Sequence, residues 1–162
     1  MAIEAFNEEV EAMCKEVYER HKSELELRMG IAPAGLERLD ESDPTKPFAD
    51  LGVFRKAQRD CCFSLYLHWG DVESGDDQHE IAVRIWLNVY RKNLRDEIWE
   101  SFRRKNPLCR VKKVDTYSLT LEAPLKSNNL SSADDVLDKL VLEWLEYCRS
   151  VGGLNLKKQG PS

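Results

Sequence analysis

Residues 3 to 28 follow a helical rhythm. Ile3, Phe6, Val10, Met13, Val17, His21 and Leu25 recur at steps of three and four and share one face, while Glu4, Glu8, Glu9, Glu11, Glu16 and Glu19 lie opposite. Gly30 ends that pattern as a C-terminal cap. A period of two begins at Cys61: Phe63, Leu65, Leu67 and Trp69 face one way, and Cys62, Ser64, Tyr66 and His68 the other, which predicts a strand. Ile81 to Tyr90 alternates in the same manner, with Ile81, Val83, Ile85, Leu87 and Val89 on one face and Ala82, Arg84, Trp86, Asn88 and Tyr90 on the other. The segment Gly70 to Glu80 joins the two strands as a long hairpin loop.

The helical period returns from Tyr90 to Asn106, with Leu94, Ile98, Trp99 and Phe102 as its apolar stripe and Pro107 as its stop. Val111 to Ala123 reads as one strand with Tyr117, Leu119 and Leu121 on its inner side, and Pro124 ends it. Ser131 or Ser132 caps a last helix, with Asp134 and Asp135 in the first turn. Its broad apolar arc runs from Val136 to Cys148, and Gly152-Gly153 stops it. Residues 30 to 60 are the least regular. Pro33, Gly35, Pro44 and Pro47 are turn formers; Leu36 to Asp40 suits a short turn of helix or an edge strand, and Phe48 to Gln58 a short helix.

These elements predict an α+β fold, in which a small, mainly antiparallel sheet of three or four strands packs against N-terminal, central and C-terminal helices. The central helix could also act as a crossover, which would make the third strand parallel to the second. One domain over residues 1–153 and a flexible tail over 154–162 are expected. If the second sheet face is left bare, Arg84, Trp86 and Tyr90 form a surface of the residue types that anchor protein interfaces; if it is covered, they are core.

With 162 residues, 42% hydrophobic and 33% charged, the chain belongs with soluble globular proteins and not with disordered or fibrous ones. Its start lacks the basic and apolar pattern of a secretion signal, and no apolar run approaches the ~18 residues of a membrane span. Five cysteines (Cys14, Cys61, Cys62, Cys109, Cys148) show no two-residue gap of a metal or redox motif and read as free thiols. A cytoplasmic protein with no membrane partner is expected.

Charge changes the picture most. Arg91 to Lys113 holds nine basic residues and three acidic ones, a net +6 inside a chain of net charge −5. Arg95 and Arg103 lie four residues from Trp99 and Lys92 seven, so all three share its side of the helix, with Lys112 and Lys113 following on the next strand. Cations around an indole can hold an anionic partner, or simply cover a half-buried ring.

Catalytic patterns are scarce. There is no Gly-x-Ser-x-Gly turn and no phosphate-cradling glycine loop. His68 shares a strand face with Ser64 and Cys62, which is weak grounds for a nucleophile and base. The loop 71–80 holds five carboxylates (Asp71, Glu73, Asp76, Asp77, Glu80) and His79, but its spacing matches no calcium-binding loop. No cofactor and no resident metal are expected.

The reading therefore leans against an enzyme. It expects a non-enzymatic intracellular binding protein (an inhibitor, adaptor or chaperone) that holds a protein partner through Arg84, Trp86, Arg91, Lys92, Arg95, Trp99, Arg103, Lys112 and Lys113. A homodimer is compatible with the same surface. The alternatives are a nucleic-acid-binding domain using the basic helix 90–106, and a small metal-dependent hydrolase or nuclease using the acidic loop 71–80.

Overall fold

A computed structural model of the chain describes residues 3–42, 49–56, 63–71, 79–105, 109–125 and 130–154. Cys61, Cys62, the side chains of the acidic loop 71–80, the Pro107 stop and the tail beyond Leu154 lie outside the described residues.

Helix α1 spans Ile3–Met29, and two strands follow, β1 (Leu36–Ser42) and β2 (Ala49–Arg55). The hairpin partners β3 (Phe63–Asp71) and β4 (His79–Asn88) lead to helix α2 (Lys92–Lys105). Strands β5 (Arg110–Asp115) and β6 (Ser118–Pro124) precede a short 3₁₀ turn at Leu130–Ser132 and the last helix, α3 (Ala133–Ser150). The sheet has six antiparallel strands in the order β1-β2-β3-β4-β6-β5, so the expected three or four is corrected to six.

The two added strands at the front come from the irregular segment. Leu36 to Asp40 lies in an edge strand, and within the short helix expected at Phe48 to Gln58 the stretch Ala49–Arg55 is strand β2 instead, while Phe48, Ala57 and Gln58 lie outside the described residues. Leu51 and Val53 of β2 enter the core opposite Leu67 and Leu65, the alternate burial of a strand and not of a helix. Val111 to Ala123 is a hairpin and not one strand. The Tyr117 amide donates to Asp115 Oδ1 at 2.9 Å, an aspartate turn that reverses the chain and leaves Tyr117 outside, not on the inner side. This hairpin also settles the crossover question: β5 takes the outer edge, and β6 folds back antiparallel to β4.

Helix ends follow their glycines. Gly30 has φ 64°, Ile31 N–H reaches the Glu26 carbonyl at 3.0 Å, and α1 closes in a Schellman turn. Gly152 and Gly153 have φ 78° and 91°, and Gly153 N–H reaches the Cys148 carbonyl at 2.7 Å. Ser132 occupies the N-cap of α3 without a side-chain capping bond, so the first-turn Asp134 and Asp135 favour that end through the helix dipole.

The core lies between one sheet face and the helices. Phe63, Leu65, Leu67, Val83, Ile85, Leu87, Leu119 and Leu121 meet Val10, Cys14, Val17 and Tyr18 of α1 and Leu137, Val141 and Trp144 of α3. Tyr18 packs on Phe63 with ring centres 6.0 Å apart, and Phe102 of α2 stacks on Trp144 at 6.1 Å. The buried stripe of α1 is turned toward Cys14 and Tyr18, with Met13 and His21 at its edge. His21 Nε2 lies 2.7 Å from Asp138 Oδ1 and ties α1 to α3.

Candidate functional site

All three helices pack on the face carrying Phe63, Leu65 and Ile85, so alternation places Ser64, Tyr66, His68, Arg84, Trp86, Thr120 and Glu122 on the other. Among the described residues no helix covers that second face. Register lines it up in rows. One row runs Gly52, Tyr66, Arg84, Glu122, Arg110 across β2, β3, β4, β6 and β5; the next runs Phe54, Ser64, Trp86, Thr120, Lys112. A third row sets His68 Nδ1 2.5 Å from Asp50 Oδ1.

Glu122 is the hub. It is 1% exposed, and Arg84 Nε donates to its Oε2 at 2.6 Å. Its other oxygen lies 3.2 Å from Arg110 Nε and 3.5 Å from Lys112 Nζ. Among the described residues that oxygen has no aligned hydrogen bond and is held by charge alone. Burial raises the pKa of the carboxyl, but Arg84 foremost, then Arg110 and Lys112, bring it below its ordinary value. Arg84 is pulled down by burial and up by Glu122 and Tyr66, and the net shift is upward. Burial is likewise the main reason the Tyr66 phenol is shifted up.

Eight of the nine residues expected at the partner surface fall into three groups. Arg84, Trp86 and Lys112 share the polar sheet face. Trp99, Arg103 and Lys113 meet on the helix side, with the Arg103 guanidinium 4.6 Å and the Lys113 ammonium 4.5 Å from the indole centre. Arg91 and Lys92, exposed at the start of α2, line a shallow depression of about 380 Å³ with Asn93, Leu94 and Glu97.

Arg95 does not ring Trp99 in the open. It is 7% exposed, donates to the Asp115 carbonyl, and pairs with Asp96 Oδ1 at 2.8 Å. Arg95 first, and Lys113 with it, hold the Asp96 carboxyl below its ordinary range. Arg95 thus pins α2 to the β5–β6 turn. Arg95→Ala is expected to cost about 2 kcal/mol in urea unfolding, and Arg103→Ala only about 0.5–1 kcal/mol. Equal losses would remove the distinction between a buried strut and a surface cation.

Sequence reading left Tyr66, Arg110 and Glu122 out of the site. For Tyr66 and Glu122 the signal was alternation, since each occupies the polar phase of an otherwise apolar strand; Arg110, on the charged strand β5, carried no such signal. Among the described residues no group of three or more His, Cys, Asp or Glu side chains converges as a metal site. The three cations around Glu122 also oppose a divalent ion there.

The chain matches no protein-family model, no curated protein and no solved structure.

Proposed function

We propose that this is a non-enzymatic binding protein that holds a macromolecular partner on the polar face of its sheet. The observation that carries the reading is the one-sided packing: three helices share one face, and Trp86 with Arg84 and Lys112 occupies the other. A partly exposed tryptophan flanked by arginine and lysine combines apolar area with charge, the composition of interface anchors. An inhibitor, adaptor or chaperone role fits such a surface. Recognition of nucleic acid by α2 is less favoured, because the indole a base would stack on already carries Arg103 and Lys113.

The reading places the protein in the cytoplasm. Its described cysteines, Cys14, Cys109 and Cys148, are free and buried, and burial pushes each thiol up to about 12. No described helix is long and apolar enough to cross a membrane.

The test is affinity capture from the native host at moderate salt, with and without nuclease. The double variant Trp86→Ala/Lys112→Gln is expected to lose the captured partner by roughly tenfold or more while melting near the parent temperature. Undiminished capture by the variant, or capture abolished by nuclease, would overturn the proposal.

A further inference from the structure

We propose that β5 is a docking edge for an acidic, extended peptide segment, which adds to the sheet as its next strand. The inference rests on the reading above and names the partner's chemistry. Among the described strands β5 has one neighbour, β6, so its outer side offers a backbone ladder for strand addition. Such a ladder recognises a peptide backbone, which nucleic acid lacks.

Charge then selects the peptide. Arg110 and Lys112 extend from β5 over the polar face and Lys113 over the helix side, each at least a third exposed. A strand with acidic side chains on both faces therefore meets cations on both. At the end of β5, Val114 is 49% exposed, and Tyr117 in the adjoining turn is 47% exposed; they supply apolar contact for the peptide's terminal residues. The opposite edge, β1, carries Glu37, Asp40 and Glu41 with Arg38, so it repels the same peptide. Lysines on an edge guard it against uncharged strands, and the same lysines admit a negatively charged one.

The experiment uses the full chain and a fluorescent twelve-residue peptide alternating Glu with Val. Its Gln-for-Glu isostere and an oligothymidylate of equal length serve as competitors. Anisotropy measures affinity at low and high salt, and hydrogen exchange locates the peptide. The expected result is binding that weakens with salt and falls about tenfold or more for the Gln peptide, together with new protection of amides 110–114. Lys112→Gln/Lys113→Gln should weaken binding by a similar factor, and hydrogen exchange on the parent chain reads the site even if that variant folds poorly. Binding without protection of β5, equal affinity for the Gln peptide, or stronger binding of the oligonucleotide would overturn it. Self-association of the chain by sedimentation, blocked by the same double variant, would assign the edge to a second copy instead. If the Glu peptide fails while Trp86→Ala/Lys112→Gln still loses the captured partner, the docking-edge inference falls alone; if both fail, so does the binding reading.

Discussion

Glu122→Ala is expected to lower the unfolding free energy by about 3–5 kcal/mol, the usual result of removing one member of a buried ion pair. The reason is the company it leaves behind. Arg84 and the neighbouring Arg110 and Lys112 all converge on this carboxylate, and without it they would repel one another on the sheet surface. Glu122→Gln keeps the shape and removes the charge, so it isolates the electrostatic part. The pH dependence has a definite sign. Because the folded carboxyl titrates below its ordinary value of 4.5, its contribution is complete above that value. It is lost as pH falls through the folded pKa. Asp138 behaves alike: burial raises its pKa, but His21 and Arg20 outweigh it and hold the carboxyl below 3.8. Urea unfolding of the parent and Glu122→Gln should therefore differ most near neutrality and converge in acid. A gap that persists below the folded pKa would show that lost packing, and not lost charge, destabilises the variant.

This hub shows why the fold was more legible than the site. The three helices and the β3–β4 hairpin could be read from period and alternation, because Val10 to Leu25, Phe63 to Leu67 and Ile81 to Leu87 each bury one regular face. Strand β1 was hidden because polar groups occupy helix-facing positions, and β2 because its core-facing run is only Leu51 and Val53 before the buried Arg55. Arg38 pairs with Glu11 of α1 at 3.5 Å, Asp40 accepts from Asn7, and Arg55 is buried beside Tyr18. The β5–β6 reversal was hidden because Asp115 alone makes the turn, without glycine or proline.

The basic run was visible, but its fate depends on strand order. Once β6 lies between β4 and β5, Glu122 stands between Arg84 and Arg110, residues 38 and 12 positions away in the chain. Counting charges along the sequence cannot anticipate that pairing. It also cannot reveal that Arg95 turns inward to the Asp115 carbonyl while Arg103, on the same helix, lies on an indole.

Gly52→Ala is expected to destabilise the protein by about 3 kcal/mol, at the upper end of ordinary overpacking. Gly52 stands opposite Tyr66 where β2 meets β3. A methyl group there would lie 2.2 Å from the Leu65 carbonyl oxygen and 2.6 Å from the Tyr66 Cα. Both are backbone atoms of the neighbouring strand and cannot rotate aside as a side-chain tip would, so β2 must move away from β3. The displacement spreads, because among the described strands β1 joins the sheet only through β2, and Leu51 and Val53 are carried out of the core with it. Gly35→Ala is the internal control: its methyl would meet nothing within 4 Å, and a change within about 0.5 kcal/mol is expected. Urea unfolding of the two variants, with hydrogen exchange across β1 and β2, decides the matter. If Gly52→Ala unfolds at the same midpoint as Gly35→Ala, then the two strands do not approach as closely as the register of β2 on β3 requires.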